Sequence, residues 1–393
     1  MFFSLAVILI IGLLAGELCR RLRLPSLLGM LAAGIIAGPY ALNLIDGSIL
    51  GISAQLRKIA LIIILTRAGL SLDVAKLKQI GRPAVLMCFV PACFEMFGMI
   101  LLAPWILGIS RLEAAIMGAV VGAVSPAVIV PKMLKLTEEG YGADKAIPQL
   151  IMAGASVDDV FVIVMFSAFV ALKQTGVVSA VGFAKIPVSI VLGIITGLLI
   201  GYVLAKLFAR VHIRDTVKII LIMSVSFLLT AFEDTGFIPF SAMIAVMCVG
   251  IAMQSVKKEL TDRLSVRYSK LWVVFEILLF VLVGACINIS YAIKAGLPAV
   301  ILILLVLIFR MAGVCVCLIK TQLSIKERLF CMLAYMPKAT VQAAIGGIPL
   351  ALGLDCGETV LTVAVLSIII TAPLGAFIID LTYKKLLNKQ KDL

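Results

Sequence analysis

The stretch that decides the fold is Gly154-Ala155-Ser156-Val157-Asp158-Asp159-Val160-Phe161-Val162-Ile163-Val164, which places two adjacent aspartates in an otherwise apolar run. Asp159 lies at the centre of a predicted membrane span, residues 147–171, about 18 Å from either end at 1.5 Å per residue. A carboxylate at that depth costs about 2.5–3.5 kcal/mol to insert, and it persists where it faces a water-filled cavity or a partner charge.

Consecutive residues of a helix point about 100° apart, so Asp158 and Asp159 cannot share one direction. The geometry therefore predicts that one carboxylate lines a cavity and that the other faces a fixed cation. The alternative is a structural role for both aspartates, in which they only hold neighbouring helices together.

The composition of the whole chain is that of an all-α polytopic membrane protein. Of its 393 residues, 63% are hydrophobic and 14% are charged, and the mean hydropathy is +1.21. A soluble fold cannot bury so much apolar surface. Hydropathy predicts about thirteen transmembrane helices, over residues 2–19, 26–45, 55–72, 82–106, 112–131, 147–171, 183–209, 216–230, 237–254, 270–289, 297–320, 328–350 and 357–380.

The net charge of +13 is distributed unevenly, because most of the 34 lysines and arginines fall in loops on one side of the predicted membrane. The positive-inside rule then places the N-terminus outside and the C-terminus in the cytoplasm of a multi-pass protein, which we expect in the cell membrane. Membrane topology therefore accounts for the excess of basic over acidic residues. The expected partner is the lipid bilayer, and no nucleic acid is expected.

A second mid-depth carboxylate, Glu95, lies in the predicted span 82–106, in a helix that Pro91 is expected to bend. The next span carries Gly122 and Pro126 near its middle. Proline removes a backbone donor and clashes with the preceding turn, so this helix is predicted to be discontinuous. Non-helical backbone at such depth is tolerated only where protein or a water-filled cavity satisfies it.

The second half of the chain contains a comparable series. Arg310 lies as deep in the predicted span 297–320 as Glu95 does in its own span. The following span carries Pro337, Lys338 and Gly346, which predict a second discontinuous helix. Residues of opposite charge at equal depth suggest a buried ion pair.

Residues 82–171 and 297–380 therefore look like two copies of one three-helix unit. An odd number of spans separates their first helices, so the copies run in opposite directions across the membrane. Inverted repeats with broken helices are the sequence sign of a binding site near the midplane of a secondary transporter.

These features resemble the cation:proton antiporter superfamily, and most closely its NHA branch of sodium/proton antiporters. The resemblance covers essentially the whole chain. It is carried by Leu24–Met30, Glu95, Ser125-Pro126, Gly154–Asp159, Arg310 and Pro337–Gly346.

The resemblance implies a domain organisation and a mode of action. Residues 1–81 would supply dimerisation helices, and residues 172–296 a linker helix and the remaining dimerisation helices. Residues 82–171, with the first break near 122–126, and 297–380, with the second near 337–347, would form a six-helix core with two crossed broken helices. Residues 381–393 would be a short cytoplasmic tail. Elevator-like alternating access in a homodimer is the implied mode of action.

The resemblance also assigns roles to individual residues. Asp159 is expected to bind the ion and the proton, with Asp158 as its neighbour in the paired-aspartate motif. Arg310 is expected to pair with Glu95, and Lys338 to lie at the second helix crossing.

A small hard cation needs oxygen ligands, and the candidates for sodium or lithium are Asp159, the hydroxyls of Ser156 and Ser125, and carbonyls released at the breaks. The two aspartates are expected to titrate as a coupled pair. A cation and a proton would compete for one charge, so exchange is obligatory if only a loaded carboxylate crosses the apolar barrier. No cofactor and no enzymatic activity are expected.

Two other transport functions stay open at this stage, a sodium-coupled symporter of an organic anion and a potassium/proton antiporter, because a fold alone does not decide between them. An intramembrane aspartyl protease is disfavoured, because aspartates consecutive on one helix cannot converge on one water. Nothing in the sequence resembles the selectivity filter of a channel. Arginine does not release its proton, so Arg310 cannot carry a second proton, and we predict one proton per cation.

Overall fold

The computed structural model describes residues 1–22, 24–71, 81–175, 180–211 and 213–389. Apart from one isolated antiparallel bridge between Tyr141 and Lys389, the regular structure within these ranges is helical. The helices, numbered in chain order, are α1 Phe2–Arg21, α2 Ser26–Ala37, α3 Gly47–Gly51, α4 Ser53–Ser71, α5 Arg82–Met87, α6 Val90–Leu107, α7 Arg111–Val121, α8 Pro126–Glu138, α9 Ile147–Thr175, α10 Ala180–Arg210, α11 Asp215–Asp234, α12 Ala242–Val256, α13 Lys258–Ala285, α14 Ile289–Cys317, α15 Ile325–Ala334, α16 Thr340–Ile345, α17 Ile348–Ala351 and α18 Gly357–Leu386.

Within the described part of the chain, eight helices are long and apolar enough to cross a membrane, and shorter apolar helices accompany them. Two of the predicted spans are divided at mid-depth. One is α7 and α8, separated by residues 122–125, and the other is α15 and α16, separated by residues 335–339. The predicted fold class, an all-α membrane protein with two broken helices, is confirmed.

Both broken helices begin with a capping box. Ser110 Oγ accepts from the backbone N–H of Glu113 at 3.3 Å, and Glu113 Oε2 accepts from the backbone N–H of Ser110 at 2.8 Å. Ser324 and Glu327 repeat this arrangement at 3.3 and 2.6 Å. Such a capping box satisfies donors that a helix N-terminus leaves free, so each first half-helix has a start fixed by its own sequence.

Prolines set the positions of the interruptions. Pro126 is the first residue of α8, where its missing N–H and fixed φ are tolerated. The helix around Glu95 is interrupted at Cys88 and Phe89, so that Pro91 sits in the first turn of α6 instead of bending a continuous helix.

Several helices differ in length from the predicted spans, and two of them show the physical reasons. Helix α13 begins at Lys258, well before the predicted residue 270, because hydropathy detects only the apolar part of a helix and misses its charged first turns. Helix α2 ends at Ala37, short of residue 45. The next residue, Gly38, has an extended ψ of 172°, which is the conformation favoured before a proline such as Pro39.

The chain divides into two compact units. The first comprises Met1–Arg57, Leu77–Phe169 and Ile277–Leu393, and the second comprises Lys58–Lys76 and Val170–Glu276. In the first unit α6 packs against α7 and α14, and α18 packs against α14 and α15. The domain boundaries and the dimerisation helices expected from the resemblance stay predictions.

In the second unit α10 packs closely along α12. Gly193, Gly197 and Gly201 form one stripe of α10, and a Cβ at any of them would collide with the backbone carbonyl of Ser241, Ala245 or Val249, respectively. Small residues four apart therefore bring these two helices into backbone contact, as is common in membranes.

Candidate functional site

The two interruptions meet in the first unit. The backbone N–H of Ser125 donates to the carbonyl of Pro337 at 2.8 Å, which joins one interruption directly to the other. The second interruption is held against α18, where the N–H of Lys338 donates to Thr371 Oγ1 at 2.8 Å. The ring of Pro337 lies against Gly375, where a Cβ would collide with it. The predicted crossing of the broken helices is present.

Side chains from the second half of the chain satisfy the carbonyls that the first interruption releases. Gln342 Nε2 donates to the carbonyls of Val121 at 3.2 Å and Ala123 at 2.8 Å. Arg310 Nη1 donates to the carbonyl of Gly122. These donors satisfy the free carbonyls at the buried C-terminal end of α7, which carry partial negative charge. The irregular backbone is therefore tolerated at this depth because protein groups bind it.

Arg310 is the centre of the site and is wholly buried. Its Nη1 lies 2.7 Å from Glu95 Oε2, and its Nη2 lies 2.8 Å from Asp158 Oδ2. Its Nε donates to the carbonyl of Tyr335 at 2.7 Å, and its Cζ lies 5.0 Å from the centroid of the Tyr335 ring. One guanidinium thus binds carboxylates from two helices, a geometry that its planar set of five donors permits.

A second buried cation shares the same glutamate. Lys338 Nζ donates to Glu95 Oε2 at 2.5 Å, and neither Lys338 nor Glu95 is more than 1% exposed. We call Glu95, Asp158, Arg310 and Lys338 the buried charge cluster. When all four are ionised, its two cations and two carboxylates balance.

The side chains of Asp158 and Asp159 lie in different surroundings. Asp158 Oδ2 accepts from Arg310 and from the backbone N–H of Val124 at 2.9 Å. Asp159 is 7% exposed, and its Oδ1 has no hydrogen-bond partner among the described residues. Asp159 therefore adds one carboxylate that the buried charge cluster does not balance.

The hydroxyl of Ser125 is also buried and has no hydrogen-bond partner within the described ranges. Ser125 lies immediately before α8, in the first interruption. The backbone N–H of the neighbouring Val124 donates to Asp158. Ser156 lies on α9, but its side chain is outside the described part of the structure. Of the predicted oxygen ligands, the structure thus describes Asp159 and Ser125.

Gln342, Tyr335 and Thr371 also bind the backbone and side chains at the crossing, although none of them is a predicted site residue. Gln342 and Thr371 are almost wholly buried. A polar side chain in an apolar segment is costly unless it is hydrogen-bonded, so the sequence alone could have indicated that Gln342 has a buried hydrogen-bond partner. The backbone carbonyl of Tyr335 could not have been identified in this way. It accepts from Arg310 only because α15 ends at Ala334, and any residue at that position has a carbonyl.

Replacing Gln342 with methionine is expected to lower stability, because two buried carbonyls lose their donor while the side-chain volume is nearly conserved. An unsatisfied buried polar group costs about 1–3 kcal/mol. The measurement is the melting temperature of the purified protein in detergent, with the exposed Gln322→Met as the matched control. Equal melting temperatures for both variants would contradict the bonding seen at the end of α7.

An all-helical membrane fold with two crossed, broken helices and ionisable groups buried at the crossing defines a secondary transporter, since such crossings carry the binding site in that class. The sodium/hydrogen exchanger transmembrane family matches residues 5–385, and the chain belongs to this family. The resemblance found in the sequence is confirmed.

Sequence relatives agree with this assignment, and a solved structure agrees with the fold. The chain is 34% identical to sodium/hydrogen exchanger 9B2 of Xenopus tropicalis and 33% identical to that of Homo sapiens, covering 99% and 98% of this chain, respectively, and 75% of each relative. The fold is similar to that of the sodium proton antiporter MjNhaP1 from Methanocaldococcus jannaschii at pH 8. That match has a TM-score of 0.85 and 20% identity, and it covers 97% of both chains.

Proposed function

We propose that this protein exchanges sodium or lithium for protons across a membrane, with the cation and the proton competing for the carboxylate of Asp159. The observation that carries the proposal is the charge balance of the site. Arg310 and Lys338 offset Glu95 and Asp158, whereas Asp159 is a buried carboxylate outside that balance. A single monovalent cation or a single proton is what neutralises it.

Competition for one charge makes the exchange obligatory. An ionised, empty Asp159 is costly to move through an apolar barrier, whereas the sodium-loaded or protonated form is neutral. The hydroxyl of Ser125 supplies a further oxygen ligand for a small cation, and Ser156 remains a proposed one. We also propose elevator-like alternating access in a homodimer, which the membership of the family supports. The protein would lie in the cell membrane with its N-terminus outside, an orientation that the excess of basic residues in the loops of one side supports.

The test uses purified protein in liposomes with an imposed proton gradient. Adding sodium or lithium is expected to change the internal pH, and no organic compound is needed. A response to potassium alone would assign the chain to potassium/proton exchange. Sodium uptake that requires an organic anion would replace the proposal with symport.

We expect one proton to move per sodium ion, so that exchange is electroneutral. Arg310 donates to both Glu95 and Asp158, and an arginine so placed keeps its proton and holds Asp158 as a fixed counter-ion. Asp158 then tunes Asp159 and carries no transported charge. The measurement is the reversal condition in proteoliposomes, where flux should vanish when the sodium and proton gradients match, at every clamped voltage.

A balance point that moves with voltage would contradict this stoichiometry. It would indicate that a second proton leaves the buried charge cluster, and Lys338 is then the residue to test, since a buried lysine is able to release its proton. Under the one-for-one proposal, Lys338→Arg keeps the balance point independent of voltage.

A further inference from the structure

Tyr335 lies where the buried charge cluster meets a further interruption, the one between α5 and α6. It is wholly buried and directly follows the last residue of α15. Neither the ion pairs of the cluster nor the oxygen ligands proposed for the cation include its hydroxyl. A buried hydroxyl is costly unless it is hydrogen-bonded, so the partner of this hydroxyl indicates what Tyr335 holds in place.

The hydroxyl satisfies a carbonyl that Pro91 leaves without its helical donor. In a continuous helix the carbonyl of Met87 accepts from the residue four positions on, but that residue is Pro91, which has no N–H. Tyr335 Oη donates to this carbonyl at 3.0 Å. The bond joins the end of α5 to the end of α15, and Pro91 precedes Glu95 by only one turn of α6.

The same hydroxyl packs against α9 near the paired aspartates. A Cβ at Gly154 would lie 2.8 Å from Tyr335 Oη and 2.8 Å from the Cβ of Met87, so a glycine leaves room there for both. Gly154 is four residues before Asp158 and therefore lies on the same face of α9. The hydroxyl thus sets how closely α9 approaches the ends of α5 and α15, one turn from Asp158.

The carbonyl and the ring of Tyr335 contact Arg310. The carbonyl accepts from Arg310 Nε at 2.7 Å, and the ring centroid lies 5.0 Å from Arg310 Cζ. A guanidinium over an aromatic ring is attracted to its face. Arg310 in turn binds Asp158, with 2.8 Å between Nη2 and Oδ2. Tyr335 therefore contacts both the arginine and the helix that carries the aspartate bound to it.

We propose that Tyr335 is a positioning residue for cation exchange, which holds Arg310 and α9 at the separation that keeps the charge of Asp158 offset. The proposal rests on the function proposed above, in which the cation and the proton compete for the neighbouring Asp159. With the hydroxyl bonded, Asp158 is a fixed and balanced counter-ion. Without that bond the ring and the end of α15 are free to shift, and Arg310 offsets Asp158 less closely.

Tyr335→Phe keeps the ring, removes the hydroxyl and should change the sodium dependence of exchange. A less closely offset Asp158 attracts sodium and the proton to Asp159 by the same factor. At alkaline pH, where few protons compete, the half-saturating sodium concentration should fall about threefold, within the range of one net hydrogen bond. At acidic pH competition by the proton strengthens equally, so the half-saturating concentration should stay at the wild-type value.

The measurement is the initial rate of sodium-driven proton movement in proteoliposomes, over a range of sodium concentrations at one acidic and one alkaline pH. Tyr268→Phe is the matched control. Tyr268 is also wholly buried, but it lies in the second unit, and its hydroxyl has no hydrogen-bond partner in the part of the chain that the structure describes. The control should show the wild-type sodium dependence at both pH values.

A second measurement does not depend on the transported ion. It is a double-variant cycle of Tyr335→Phe with Asp158→Asn, with the melting temperature in detergent as the readout. The loss caused by Tyr335→Phe should be smaller in the Asp158→Asn background, because Arg310 then has no charge at Asp158 to be held against. A wild-type protein that does not exchange sodium would refute the proposed function, and this cycle would still decide the role of Tyr335.

Two results would overturn the proposal. The first is the wild-type sodium dependence at both pH values in Tyr335→Phe, in a wild-type protein that exchanges sodium. With a lowered melting temperature, that result would make the hydroxyl a purely structural group. The second is simple additivity in the cycle with Asp158→Asn, which would show that the hydroxyl does not act on the contact between Arg310 and Asp158.

Discussion

Asp159→Asn is expected to reduce sodium-driven proton movement to the level of protein-free liposomes while the protein stays folded. Asparagine keeps the shape of the side chain and removes the charge for which the cation and the proton compete. Because Asp159 Oδ1 has no hydrogen-bond partner among the described residues, the change breaks no ion pair of the buried charge cluster. The melting temperature should therefore not fall, since an unbalanced buried charge is itself costly.

The measurement is the pH change inside proteoliposomes on adding sodium, together with the melting temperature in detergent. The control is Asp355→Asn, an equal chemical change at an exposed position between α17 and α18, which should exchange at the wild-type rate. Near wild-type exchange by Asp159→Asn would show that the transported ion is bound elsewhere.

Arg310→Ala is expected to cause the largest loss of stability among single substitutions at the crossing. It removes the partner of Glu95 and Asp158 and the donor to the carbonyls of Gly122 and Tyr335. Breaking one buried ion pair costs about 3–5 kcal/mol in soluble proteins, and here two carboxylates lose the same partner. Arg310→Lys should recover only part of this, because an ammonium cannot reproduce the planar set of donors.

A double-variant cycle with Glu95→Ala tests the contact itself. The loss in Arg310→Ala/Glu95→Ala should be smaller than the sum of the single losses, since the second change removes a carboxylate that the first deprives of one of its two cations. The recovery should be partial, because Asp158 and Lys338 then lack their ion-pair partners. Melting temperatures in detergent give the comparison, and simple additivity would count against the contact.

The surface pair Lys58 and Asp234 provides the reference for this cycle. Its Nζ–Oδ1 distance is 2.9 Å, but the two side chains are 37% and 62% exposed. Exposed pairs contribute about 0–1 kcal/mol. Lys58→Ala should therefore change the melting temperature little, which shows that the effect at Arg310 depends on burial.

Much of the architecture follows from the sequence because its causes are local. The composition requires a membrane, since the apolar surface has nowhere else to go. Pro126 interrupts a helix through its own missing donor and ring, whatever it packs against. The capping boxes at Ser110 and Ser324 start the two broken helices in the same way. The depth of the paired aspartates likewise follows from counting residues along one span.

The sequence determined that Asp158 and Asp159 point apart, since 100° per residue is a property of every helix. Only the tertiary structure decided which of them faces Arg310, because that depends on how α9 packs against α14. The same holds for Glu95, whose two cations come from residues far along the chain, and for Gln342, whose acceptors are carbonyls freed by a break in another helix. A helix break is set by covalent geometry within a few residues, whereas the partner of a buried charge is set by the packing of distant segments.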